Sequence, residues 1–137
     1  LPHMGRSYMN AAVHTMEHIL SAYYDIPHGA GIAIMSLAWF RYCLSEQTAA
    51  IFAKWGRNVW GLSYEGGDYA IGLASIDAFE DLCRELGLPV RLSELGITKA
   101  NIEEIADNEI GRLVGGDTWL RPVVTREELF SIYALAL

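Results

Sequence analysis

Apolar residues recur every three or four positions along most of the chain, which is the spacing of amphipathic helices. The first such run covers residues 7–24 and stops before Pro27, because proline cannot continue a helical hydrogen-bond ladder. The second, residues 29–44, is apolar almost all round, which is typical of a central helix. No segment shows the two-residue period of a strand. The pattern therefore predicts an all-α domain.

Capping signals delimit two further helices in the middle of the chain. Ser45 is expected to cap a third helix that runs to about Trp60, and residues 61–67 form a loop. A fourth helix covers residues 68–86, with Gly87 as its C-cap. The side chains expected to face inward from these two helices are Ile51, Phe52, Trp55, Val59, Ile71, Leu73, Ile76, Phe79, Leu82 and Cys83.

The last third of the chain contains weaker signals. A single turn is expected at residues 92–95, followed by a fifth helix from Thr98 to about Ile110 and an irregular stretch over residues 111–124. A capping box that begins at Thr125 starts the final helix, Leu129 to Leu137. The prediction is a bundle of about six helices.

Composition narrows the class of protein. We expect residues 7–137 to form one helical domain, and residues 1–6 to be a tag remnant or a disordered tail. The hydrophobic fraction of 52% and mean hydropathy of +0.18 indicate a dense core or an apolar surface that a partner covers. A net charge of −7 without a basic cluster argues against a nucleic-acid partner.

Cysteine usage and hydropathy suggest a cytoplasmic protein. Cys43 and Cys83 stand apart in apolar helical runs, so we expect both to be buried, reduced thiols. No apolar run reaches the roughly 18–20 residues that span a membrane, so no membrane partner is expected. Residues 1–5 lack the features of a signal peptide.

Three of the four histidines lie within fifteen residues. His14 and His18 are four apart, which puts both rings on one helix face. His28 follows Pro27, and a helix, a tight turn and a second helix would return it beside the first helix. Neutral imidazole is the commonest metal ligand, so the hairpin predicts a metal or catalytic centre.

The spacing H-x3-H-x9-H-G-A-G resembles the histidine segment of the iron-dependent (group III) alcohol dehydrogenases, and it is most similar to the butanol dehydrogenase branch. The resemblance covers the chain from about Asn10 onward. It implies the fold of the helical, metal-binding C-terminal domain of those enzymes. It also implies interconversion of a small alcohol and its aldehyde with NAD(P), assisted by Fe2+ or Zn2+ that polarises the carbonyl oxygen.

The resemblance also implies roles for individual residues. The family holds its metal with one Asp and three His; His14 and His28 match the last two of these ligands, and His18 matches a histidine beside the nicotinamide and substrate. The alternative for His18 is an ordinary helix histidine bonded to a nearby carbonyl. Asp25 would orient a ligand imidazole or, as we prefer, cap the turn at the surface.

Two features of the family are missing from this sequence. It has no Gly-rich phosphate turn between a strand and a helix, and no D-x3-H motif for the first two metal ligands. We therefore expect a C-terminal fragment that lacks the dinucleotide site, binds metal weakly and is inactive alone. Its bare apolar surface is expected to mediate a homo-oligomer or association with the missing N-terminal half.

Two other classes of function remain open. The run His14-Thr-Met-Glu17-His18 fits the H-x-x-E-H signature of inverzincin proteases, with Glu17 as general base and Glu94 as the nearest candidate for a third ligand. A protease should lose activity with Glu17→Gln, whereas a dehydrogenase is expected to tolerate it. The other class is a non-catalytic helical interaction module or remnant.

Overall fold

The computed structural model describes residues 12–63, 65–115 and 125–137. These residues form helices and connecting turns without a strand, which confirms the predicted all-α class. None of the helices in these ranges is long and apolar enough to cross a membrane. The elements, in chain order, are α1 (Ala12–Tyr24), α2 (His28–Cys43), α3 (Ala49–Val59), α4 (Asp68–Glu85), a 3-10 turn (Leu92–Leu95), α5 (Lys99–Gly115) and α6 (Arg126–Ala134).

Helix α2 lies at the centre of the bundle because it contributes to two hydrophobic clusters. Ile34 and Met35 pack in the first cluster with α1, the 3-10 turn, α5 and α6. Ala33 and Leu37 pack in the second cluster, which α3 and α4 complete. A helix that serves two cores must be apolar nearly all round, as predicted for this segment.

A buried hydrogen bond fixes α6 against α1. The hydroxyl of Tyr133, which is fully buried, donates to the backbone carbonyl of Met16 at 3.0 Å. Burial raises the pKa of the Tyr133 hydroxyl far above its ordinary value, and the charge of Glu109 raises it further. Tyr133 is therefore a neutral hydrogen-bond donor. The bond ties the last helix to the helix that holds His14 and His18.

Several predicted boundaries change in the structure. Ser45 does not cap α3; its carbonyl accepts from the N–H of Thr48 at 3.1 Å, and α3 begins only at Ala49. The Thr48 hydroxyl stabilises this turn by donating to the Cys43 carbonyl at 2.6 Å. Hydroxyl side chains compete in this way with the helical ladder.

The fifth and sixth helices differ from expectation in the opposite sense. Helix α5 continues to Gly115 rather than ending near Ile110. A glycine inside a helix costs only about 1 kcal/mol, which the helix-forming residues around Gly111 offset. The capping box at Thr125 is confirmed, and α6 begins directly after it, at Arg126. The rest of the stretch expected to be irregular lies outside the described residues.

Four of the apolar side chains expected to face inward are exposed instead. Ile51 is 71% exposed and Val59 62%, while Leu73 and Leu82 on α4 are 42% and 36% exposed. Successive helical residues point about 100° apart, so the face that buries Ala53 and Gly56 turns Ile51 outward. Cys83 is buried as expected but Cys43 is only half-buried, and neither forms a disulfide.

Helices α3 and α4 approach each other closely where Gly56 faces Ser75. A β-carbon at position 56 would lie 2.1 Å from Ser75 Oγ. Ser75 is buried, and its hydroxyl lies 2.7 Å from the Ile71 carbonyl and 3.1 Å from that of Phe52. The serine hydroxyl therefore bridges the two helices only because position 56 has no side chain.

We predict that Gly56→Ala lowers the free energy of unfolding by about 1–3 kcal/mol, because the new methyl group displaces Ser75. Urea unfolding followed by circular dichroism measures this. Gly29→Ala is the matched control, since nothing lies within 4 Å of a β-carbon there. The same Gly56→Ala change should cost less in a Ser75→Ala background. Equal losses in both backgrounds would contradict the proposed clash.

A charged cluster joins α2 to α4. Arg41 of α2 contacts Glu80 of α4, whose carboxylate also lies 3.0 Å from Arg84 and 3.4 Å from Arg91. The side chains of Arg41 and Glu80 are only 19% and 12% exposed. Burial raises the pKa of Glu80, but the hydrogen bonds from Arg41 and Arg84 and the charge of Arg91 outweigh it and hold the pKa below its ordinary value.

We predict that Glu80→Gln reduces the free energy of unfolding by about 1–3 kcal/mol at neutral pH. The folded-state pKa is depressed, so this stabilisation is complete above the ordinary value of 4.5 and is lost as the pH falls through the folded value. Urea titrations across the acidic range should show the two proteins converging. Asp77→Asn should have a smaller effect, because the Asp77 side chain is 60% exposed and its carboxylate is 3.6 Å from Arg41. If the difference in free energy of unfolding between the two proteins stays constant with pH, the Glu80 carboxylate does not provide this stabilisation.

Candidate metal centre

A three-residue turn connects α1 to α2 and determines where the histidines meet. The N–H of Asp25 donates to the Ser21 carbonyl at 2.9 Å, and Asp25 adopts a left-handed conformation with φ of 51°. Aspartate tolerates this conformation better than most residues. Asp25 is exposed, which agrees with the preferred role in shaping the turn. Ile26 is buried beneath the turn, and His28 is the first residue of α2 rather than part of the turn.

The structure brings the three predicted histidines together. The ring centroids of His14 and His18 are 4.5 Å apart, those of His14 and His28 are 4.9 Å apart, and those of His18 and His28 are 5.4 Å apart. All three residues are exposed, and the side chain of His28 is 54% exposed. The hairpin therefore presents a cluster of imidazoles at the surface.

Glu17 lies behind this cluster and is fully buried. One carboxylate oxygen, Oε2, is 2.5 Å from Nδ1 of His28, and the other accepts a hydrogen bond from the Ser21 hydroxyl. The sequence pattern indicated Glu17 only as a protease general base. The sequence feature that could have indicated a structural role is a charged residue on the buried face of α1, one turn before Ser21.

A glycine makes room for this carboxylate. A β-carbon at Gly31 would lie 2.6 Å from Cγ and 2.9 Å from Oε1 of Glu17. Cγ lies near the backbone, so Glu17 could not avoid that methyl group by rotating its end alone. The absence of a side chain at Gly31 is therefore a requirement of the Glu17–His28 contact.

The donor atoms fit a divalent metal ion. Ligand atoms of Glu17, His18 and His28 all lie within 4.8 Å of one another. Imidazole nitrogen and carboxylate oxygen both suit Zn2+ and Fe2+. This set differs from the ligands that the resemblance implies, because it includes His18 and omits His14. The ring centroids of His14 and His28 are nevertheless closer, at 4.9 Å, than those of His18 and His28, at 5.4 Å.

The geometry disfavours the protease interpretation. A general base must reach a water molecule, whereas the Glu17 carboxylate is buried and bonded to His28 and Ser21. The suggested third ligand, Glu94, instead accepts from the backbone N–H of Val90 at 3.4 Å and lies 4.0 Å from Arg84. The part of the chain that the structure describes also contains none of the strands such proteases use.

The fold and the site together define a class of protein. Its members are all-α domains with clustered imidazoles on one hairpin and a buried carboxylate behind them. Comparison with known proteins identifies the family. A model of the C-terminal domain of the Fe-containing alcohol dehydrogenase family matches residues 4–137. The chain belongs to this family, and it represents the helical C-terminal part.

Individual relatives support the same assignment. The chain is 42% identical over 122 residues to NADH-dependent butanol dehydrogenase B of Clostridium acetobutylicum, covering 88% of this chain and 31% of that protein. The crystal structure of NADH-dependent butanol dehydrogenase A from Thermotoga maritima matches with a TM-score of 0.79 and 36% identity, covering 92% and 32% of the two chains. A structure of the aldehyde reductase YqhD from Escherichia coli matches with a TM-score of 0.75 and 25% identity, covering 93% and 33%. The chain thus spans about a third of the length of these relatives.

Proposed function

We propose that this chain provides the histidine part of the active site of an iron-dependent, NAD(P)-linked alcohol dehydrogenase. The reaction would reduce a small aldehyde with NAD(P)H and a proton to the alcohol and NAD(P)+, or run in reverse. The single observation that supports this most is the cluster of three imidazoles with ring centroids within 5.4 Å on one hairpin. Relatives named as NADH-dependent butanol dehydrogenases suggest the substrate class.

In this proposal His14 and His28 hold a divalent ion, Fe2+ or Zn2+, through one ring nitrogen each. When bound, the ion supplies Lewis-acid chemistry at the substrate carbonyl. Further ligands and the dinucleotide site would come from the part of the parent enzyme that this chain does not span. Two imidazoles alone should hold a metal ion weakly, because a closed site needs about four protein ligands.

His18 has a different proposed role. It lies one helical turn from His14 and its ring centroid is 5.4 Å from that of His28, so it borders the metal site. Its ring nitrogen can hold a proton and pass it to the substrate oxygen as hydride arrives at carbon. Because His18 is exposed, a substrate that approaches the surface of the hairpin could reach its ring.

We also propose that a partner surface covers the exposed apolar side chains. Ile51, Val59 and Leu86 are each more than 60% exposed, at 71%, 62% and 67%. Burying such groups favours association by about 25 cal/mol for each Å² of apolar area removed from water. The rest of the parent enzyme or a second copy of the chain would provide that cover.

The proposed division of the site predicts different activities for the isolated chain and for a chimera with a relative. The 137-residue chain alone should contain little metal and show no NAD(P)H-linked reduction of butanal. A chimera in which this chain replaces the C-terminal third of the Thermotoga enzyme should bind about one metal ion per chain and reduce butanal. Metal analysis by mass spectrometry and the decrease in NADH absorbance measure these outcomes. Full turnover by the isolated chain would contradict the division of the site.

Substituting each of the three histidines in that chimera should distinguish their roles. His14→Ala and His28→Ala should each lose metal. His18→Asn should keep the metal while kcat falls about 10²–10⁴-fold, because a positioned acid–base group contributes on that scale. If His18→Asn instead loses metal and His14→Ala keeps it, His18 and His28, whose ligand atoms lie within 4.8 Å of each other, hold the ion. The roles proposed for His14 and His18 would then be exchanged.

A further inference from the structure

We propose that Glu17 is a positioning residue for His28. It accepts a hydrogen bond from Nδ1–H of His28, fixes the ring and leaves Nε2 as the nitrogen with a free lone pair. The importance of this for metal binding rests on the proposed function, in which His28 is a ligand. The hydrogen bond itself does not depend on that function.

The contact between the two side chains has the geometry this role requires. Oε2 of Glu17 is 2.5 Å from Nδ1 of His28, while the Glu17 side chain is fully buried and that of His28 is 54% exposed. An ionised carboxylate can only accept, so in this proposal Nδ1 donates. A neutral imidazole carries one N–H, which the contact assigns to Nδ1.

The carboxylate of Glu17 is itself held in place. Its Oε1 accepts from the Ser21 hydroxyl, which also lies 2.9 Å from the Ile26 carbonyl in the turn. Gly31 leaves the space that its Cγ and Oε1 occupy. Burying a carboxylate is costly unless its oxygens are paired, and here both oxygens have partners from the same hairpin.

These contacts favour a positioning role over direct coordination by Glu17. One of its oxygens lies within 4.8 Å of one ring nitrogen of each of His18 and His28, which places it near the site. Coordination would require a carboxylate oxygen to leave Nδ1 of His28 or the Ser21 hydroxyl. Metal-ligating histidines commonly donate their second N–H to a carboxylate, and loss of that partner typically costs about 10–100-fold in metal affinity.

The decisive experiment reads the tautomer of His28 in the 137-residue chain without metal. Long-range 15N–1H NMR in alkaline buffer distinguishes Nδ1–H from Nε2–H. We expect Nδ1–H in the wild-type chain, and Nε2–H, which a neutral histidine side chain prefers in water, in Glu17→Met. Glu17→Gln keeps an acceptor oxygen and should retain Nδ1–H. Nε2–H in the wild-type chain would overturn the proposal.

A second pair of variants changes the position of Glu17 without altering its chemistry. Gly31→Ala places a methyl group against Glu17 and should return His28 to Nε2–H. Gly29→Ala lies two residues earlier in the same helix, where nothing is within 4 Å of the new methyl group, and should leave Nδ1–H unchanged. The same tautomer in both alanine variants would argue against the role of Gly31 as the residue that admits the carboxylate.

Binding of Co2+, measured by calorimetry on the metal-free chimera with the Thermotoga enzyme, tests the consequence for the metal. Glu17→Met should weaken Co2+ binding about 10–100-fold, and Glu17→Gln should weaken it less. Unchanged affinity in Glu17→Met would refute a positioning role, and a loss far above about 100-fold would make Glu17 a ligand instead. If the chimera without substitutions binds no Co2+, the proposed metal function fails, while the tautomer in the 137-residue chain still decides whether Glu17 orients His28.

Discussion

The contact between Glu17 and His28 depends on the connection between α1 and α2. Only three residues separate the two helices, so the second must return along the first, and the start of α2 lies beside the middle of α1. That return places Nδ1 of His28 against a carboxylate from which water is excluded. A carboxylate in such a position must be paired, and the pairing in turn requires a glycine at position 31. The turn, the glycine and the two hydrogen-bonded side chains thus form one interdependent unit.

The remaining helices hold this hairpin in place. Tyr133 ties α6 to the backbone of α1 inside the first hydrophobic cluster, and Arg41 ties the far half of α2 to Glu80 on α4. The histidine face is left without a covering helix among the described residues, since all three imidazoles are exposed. Both cores therefore support a hairpin whose three imidazoles are exposed.

Sequence reasoning recovered the helices and the histidine cluster because both depend on local spacing. The four-residue interval of His14 and His18 and the proline before His28 are enough to predict that the rings meet. The role of Glu17 depends on which face of α1 is buried and on an empty position in another helix, and neither follows from local spacing. Ile51 and Leu73 were wrongly placed inward because apolar character alone does not say which face of a helix finds a partner within the chain.

The division between buried and exposed groups suggests how the site is shared in the proposed enzyme. The described residues provide the imidazoles and the buried carboxylate that orients one of them, and these groups need no partner to be in position. The exposed sides of the rings are where additional ligands and a substrate would have to approach. Orientation of His28 is thus a property of this domain alone, whereas closure of the metal site is a property of the assembled enzyme. A domain of this kind can have an ordered half-site and still have little affinity for metal, because affinity grows with the number of ligands as well as with their orientation.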